Sequence, residues 1–172
     1  GQALSTRPDL LGEEITQDLA QLQDDLPPFS FEQARDAIEQ EFQVPLEELF
    51  THFDETPVAA ASIAQVHFAE TTEGDRVAVK ILRPGIETRF RRDLDLFRWC
   101  ARIVERARPD LKRLKPREIV ETIAQSVELE MDLRFEAAAA AEMADNFDGG
   151  ATFIVPAVDW ARTGARVLTT ER

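Results

Sequence analysis

In the stretch Arg76-Val77-Ala78-Val79-Lys80-Ile81-Leu82, one lysine interrupts an apolar, β-branched run. Val77, Val79 and Ile81 alternate with Ala78, Lys80 and Leu82, which predicts a strand buried on both faces. Burying an ammonium without a partner costs more than an ordinary strand position absorbs, so Lys80 calls for an acid beside it. A charge-assisted pair with a carboxylate answers that need. Such a lysine either snorkels its amine to solvent from the strand end or, held by a helix glutamate, meets nucleotide phosphates. Acids are available downstream. Glu128, Asp132 and Glu136 are spaced by four residues and share one face of a predicted helix. Glu130 lies about 200° around from Asp132 at about 100° per residue, so it faces another element.

These side chains need elements to carry them. Residues 58–82 predict two strands joined by Thr71 to Asp75, with Gly74 in the turn. Pro116 opens a long helix reaching about Phe147, striped by Ile119, Ile123, Val127 and Met131 and ended by Gly149-Gly150. Between them, residues 86–108 form an Arg-rich helix with Phe90, Leu94, Phe97, Ala101 and Val104 on its apolar face. Upstream, Leu11, Ile15, Leu19, Leu22 and Leu26 make a helical stripe that stops at Pro27-Pro28. Ser30 and Gln33 form a capping box for a second helix to about Phe42, and Pro45 to Phe50 reads as a short third one. Residues 152–158 and 165–172 finish the chain as two strands. The order predicts an α+β fold with an antiparallel sheet.

Composition bounds the function. The chain has 172 residues with 44% apolar and 31% charged content, which describes a globular protein with a real core. A single cysteine, Cys100, excludes an internal disulfide framework and fits a reducing, cytoplasmic setting. His52 and His67 lie far from it, so no zinc spacing exists, and no metal ligand set is assigned. The charge of −13 is uneven: residues 1–56 carry −12 and residues 83–117 carry +7. Either the acidic segment packs near the basic one, or the basic one faces anionic lipid or phosphate. Nucleic acid is not expected, since the net charge is acidic and no basic-aromatic interleaving appears.

A hairpin, a central-strand lysine, a carboxylate-bearing helix and two further strands together suggest a protein-kinase-like small lobe. An ordinary kinase would place a Gly-rich loop in the first hairpin. Here Pro57-Val58-Ala59-Ala60-Ala61-Ser62 contains no glycine, and alanine cannot adopt the left-handed conformations that glycine reaches. Phosphates must be held differently.

Five segments in order, GQALSTRPDLLG, PVAAASIAQVHFAE, VAVKILRPG, ELEMDLRFEAA and VLTTER, resemble the UbiB-like atypical kinase family of ubiquinone biosynthesis. The likeness spans essentially the whole chain. It implies a helical Gly-Gln regulatory extension over residues 1–50 and a kinase-like N-terminal lobe over 51–172 that ends at the hinge. Within it, Gln2 is similar to the end of the family's Lys-x-Gly-Gln motif, which folds over the active site and blocks protein substrates. Ala59, Ala60, Ala61 and Ser62 resemble the Ala-rich nucleotide loop, and Lys80 the phosphate lysine. Glu130 and Asp132 resemble the Glu-x-Asp motif, Glu136 the glutamate that pairs with the lysine, and Glu171 the hinge that meets adenine through its backbone.

The resemblance implies ATP with Mg²⁺, the metal ligands lying mainly in a C-terminal lobe beyond Arg172. These residues alone, lacking an Asp-Phe-Gly motif, are expected to be inactive. The other class is a non-catalytic scaffold that binds nucleotide, anionic lipid or a quinone precursor and organises other quinone-biosynthesis proteins at the inner membrane face. Uncovered apolar surface at the hinge end could also drive self-association. A ring hydroxylase is disfavoured: no flavin fingerprint, 2-His-1-carboxylate set or haem-type cysteine site is present. His67, Trp99, Phe97 and Cys100 read as packing residues, and His52 as a surface one.

Overall fold

The computed structural model describes residues 27–147 and 154–172. Gln2, the stripe from Leu11 to Leu26, Gly149-Gly150 and the start of the 152–158 segment lie outside the described residues.

Helix α1 spans Phe31–Phe42 and opens with the expected reciprocal cap: the Gln33 N–H donates to the Ser30 hydroxyl, and the Gln33 side chain accepts from the Ser30 N–H. Buried Ala34, Ala37 and Ile38 line its inner face. The expected third helix is only four residues, α2 at Leu46–Leu49, because Phe50 already begins strand β1, Phe50–Phe53. Strands β2 (Ala59–Ala60), β3 (Ala64–Thr71) and β4 (Arg76–Leu82) follow. Gly74, at φ 93°, makes the β3–β4 turn in a conformation that side chains resist.

Helix α3, Ile86–Ala107, leaves β4 through Gly85 at φ 73° and ends in a 3₁₀ segment, Pro109–Leu114. Helix α4 spans Pro116–Glu130 and α5 Leu133–Phe147, so the one long helix expected here is two. No glycine or proline interrupts it. Asp132 does, by accepting from the Arg134 N–H (3.1 Å) as the side-chain cap of a new helix. The break removes the shared face drawn for Glu128, Asp132 and Glu136. Strand β5, Val167–Glu171, closes the fold. The expected 152–158 strand reduces, among the described residues, to one bridge between Val158 and Thr170.

The sheet is antiparallel in the order β1-β3-β4-β5, with β2 also on β3. Registers Val66↔Lys80↔Leu168 and Gln65↔Ile81↔Val167 define its two faces. Against one face, Val77, Val79, Ile81 and Val167 pack with Phe29, Ala34, Ile38, Leu46 and Phe50, one core shared by α1 and the sheet. Against the other, Ala64, Leu82 and Leu168 pack with Ile86, Leu133 and Ala137. α3 and α4 lie side by side, burying Leu94 and Ala101 on one and Val120 and Ala124 on the other. Arg98 reaches across to both Glu121 oxygens at 3.0 Å. The expected stripe on α4 is therefore turned by one residue: Ile119 and Ile123 are exposed, as are Phe97 and Val104 of α3.

Candidate functional site

Strand β4 is not buried on both faces. Val77, Val79 and Ile81 are, whereas Ala78 and Lys80 are half-buried, since only Leu82 and its neighbours are roofed by α5. Lys80 therefore projects from the sheet toward the side of α5. Leu133 and Ala137, four residues apart, seat α5 on the sheet, and Glu136 falls at the margin of that contact. Lys80 Nζ donates to both carboxylate oxygens of Glu136, at 2.7 and 2.6 Å. The expectation of a buried pair is corrected: the side chains are 30% and 51% exposed. Pairs so exposed contribute about 0–1 kcal/mol, so this one orients an ammonium rather than stabilising the fold.

The Ala-rich stretch borders the same face. Ala59 pairs with Val66, which pairs with Lys80, so Ala59 stands two strands away, about 10 Å across the sheet. Ala60 falls on the opposite parity, opposite Gln65. The Ala61 N–H donates to the Ala64 carbonyl (2.7 Å) and closes a tight turn through half-buried Ser62. The three alanines are exposed.

Glu130 and Asp132 are not brought to Lys80. Glu130 is the exposed last residue of α4. Asp132 is clasped by Arg134 at 2.6 and 2.9 Å, and those hydrogen bonds hold its carboxyl below the usual carboxylate range. Glu171 sits at the end of β5, where its N–H donates to the Ala157 carbonyl (2.8 Å). Next to it the Arg172 guanidinium lies 3.6 Å over the Phe68 ring, on the Lys80 face.

Two features escaped the sequence reading. Arg83, just past β4, donates to the Pro27 carbonyl (3.2 Å) and the Ala61 carbonyl (3.5 Å) and lies over the Phe29 ring, tying the Ala-rich turn to the chain before α1. Gln65 exchanges both hydrogen bonds with the Phe29 backbone, 3.1 and 3.2 Å, and meets His67 Nε2 at 2.8 Å. His67 Nδ1 reaches the Asp54 carbonyl (2.7 Å). A neutral ring protonated on Nδ1 satisfies every contact, and burial lowers the His67 pKa accordingly. The adjacent polar pair Gln65 and His67 on one strand face was the available signal. Its partners are distant backbone groups and leave no pattern in sequence.

Among the described residues, no helix is long and apolar enough to cross a membrane, and no group of three His, Cys, Asp or Glu side chains converges as a metal site. Of the basic segment's ion pairs, Arg108–Asp110 and Lys115–Glu118 are local and Arg98–Glu121 crosses to α4; among the described residues none reaches residues 27–56.

Residues 21–172 match the model of the ABC1 atypical kinase-like domain. The chain is 44% identical over its full length to a "probable protein kinase UbiB" of Marinobacter nauticus and 41% identical to one of Pseudomonas aeruginosa. It spans about a third of the length of those relatives, 31% and 32%. A solved structure of Rv3197 with erythromycin, from Mycobacterium tuberculosis, aligns at a TM-score of 0.67 with 32% identity, covering all of this chain and 43% of that one. With a helix-braced antiparallel sheet and a family match over most of its length, the chain belongs to the ABC1 atypical kinase-like family.

Proposed function

We propose that the chain is the nucleotide-binding small lobe of a UbiB-like atypical kinase or ATPase, preceded by its helical regulatory segment. In the whole protein it binds ATP with Mg²⁺ and supports ubiquinone biosynthesis. The observation that carries this reading is the two-oxygen contact between Lys80 and Glu136. An ammonium has three donors, and two are spent on the carboxylate, which leaves the third for a phosphate oxygen. Partial exposure keeps that donor within reach of a ligand, and the exposed Ala59 borders the same face. The Mg²⁺ ligands are assigned to the remainder of the whole protein, because Asp132 is engaged by Arg134 and Glu130 stands apart from Lys80.

Titration with a fluorescent ATP analogue tests this. Lys80→Ala and Glu136→Ala each weaken binding by about tenfold or more, the worth of a charge-assisted hydrogen bond. Unchanged affinity in Lys80→Ala sinks the reading. The 172 residues by themselves are expected to show no ATP turnover.

A second reading, a lipid-binding scaffold, is favoured by one feature. Leu96, Trp99 and Ile103 are exposed at helical spacing on α3, among exposed Arg89, Arg92 and Arg106. Vesicle flotation that requires anionic lipid and weakens with salt supports it; salt-insensitive flotation argues against electrostatic docking.

A further inference from the structure

Helix α5 carries Glu136, so whatever fixes its first turn fixes the carboxylate that Lys80 meets. That turn has an anchor outside the helix. The Leu133 N–H donates to the Ala165 carbonyl (2.8 Å), in the loop that leads into β5. The N–H of the same Ala165 donates to Glu41 Oε1 (2.5 Å), in the last turn of α1. One residue of a connecting loop is thus gripped by α1 on one side and by α5 on the other.

Two further observations converge on Glu41. At Gly164 a Cβ would fall inside the Glu41 carboxylate, so the loop approaches that side chain as closely as a glycine permits. The Glu41 charge also reaches Arg134, whose guanidinium is held protonated chiefly by Asp132 and to a smaller degree by Glu41. Arg134 and Asp132 form the mouth of α5. Glu41 therefore acts on α5 by a hydrogen-bonded route through Ala165 and by charge.

We propose that Glu41 is a positioning residue for the Lys80–Glu136 pair: through Ala165 it holds α5 where Glu136 meets the lysine. Helix α1 then does more than cover the far face of the sheet. Its position is read out at the amine on the near face. The consequence for nucleotide binding rests on the function proposed above; the coupling between Glu41 and Lys80 does not.

The test measures Lys80 acylation by an amine-reactive ester, read by mass spectrometry on the folded chain, because pairing with Glu136 shields the amine. Glu41→Ala is expected to raise the Lys80 rate about threefold or more, the range for mutations along a coupled network. Glu41→Gln keeps an oxygen acceptor for the Ala165 N–H and should restore most of the protection. Gly164→Ala, which evicts the carboxylate without touching it chemically, should reproduce Glu41→Ala. Asp36→Ala, exposed on the same helix, should leave the rate unchanged. Hydrogen exchange at the Leu133 amide should speed up in Glu41→Ala while β3 amides stay protected, which separates a released helix from general unfolding. An unchanged Lys80 rate in both Glu41→Ala and Gly164→Ala overturns the proposal, as does a Glu41→Gln rate equal to that of Glu41→Ala. ATP titration in parallel keeps the two ideas apart. A wild-type chain that binds no ATP, yet shows the Glu41 effect on Lys80, removes the nucleotide reading and leaves the coupling standing.

Discussion

The two faces of the sheet are built to opposite specifications from the same strands. On the face toward α1, Val79, Ile81, Val167 and Ile38 are fully enclosed, and even the polar residues there are satisfied. Thr169 donates to the Arg162 carbonyl (2.6 Å), and Gln65 and His67 bond backbone. On the face toward α5, closure stops at Leu82 and Leu168, and Lys80 stays partly wet. Parity along β4 separates the side chains that hold shape from the one suited to chemistry. A one-residue slip would exchange them.

The sharpest way to break this contrast is to damage the closed face. Ile81→Ala should lower unfolding free energy by about 2–5 kcal/mol, from lost burial plus the cavity left behind, as measured by urea denaturation. A loss below about 1 kcal/mol would mean that the face is less tightly packed than described.

Acid probes the same face more gently. Burial lowers the His67 pKa below that of a free imidazole, so the folded state favours the neutral ring. Its contribution to stability is fully present above about pH 6.5 and is lost as pH falls through the lowered folded-state pKa. Denaturation curves across that window should show a fall in stability that His67→Phe removes, over and above the carboxylate effects common to both proteins. Equal slopes would place the imidazole in contact with water.

The smallest stability effect belongs to the open face. Lys80→Ala should change unfolding free energy by about 1 kcal/mol or less, because it breaks a solvated pair. A loss as large as that of Ile81→Ala would erase the distinction between the faces.

Much of this arrangement was legible from residue order. Ser30 with Gln33 announced α1, Gly74 announced the central turn, and the alternation through Lys80 located the strand. The errors have specific causes. Phe50 to Phe53 is too short to show a period of two, and it follows a helical Leu-Glu-Glu-Leu, so residue order carries the helix through Phe50 and marks no strand before residue 58. The α4–α5 break depends on one aspartate that caps a helix where helix-forming residues run on both sides. The burial of β4 was overstated because Ala78 is small enough for either environment. The Lys80–Glu136 pair came through the family resemblance, whereas Glu41 and Gln65 act on backbone groups far along the chain. Such contacts carry no local spacing.

The interruption at Met131 and Asp132 has a mechanical corollary. A continuous rod from Pro116 to Phe147 could tilt only by dragging the α3–α4 arm with it. A jointed one lets α5 swivel about two residues while the arm, stapled by Arg98 and Glu121, keeps still. The acid at residue 136 can then approach or leave its amine as a lever on a pivot once the Ala165 hold on Leu133 and the seat of Leu133 and Ala137 on the sheet give way.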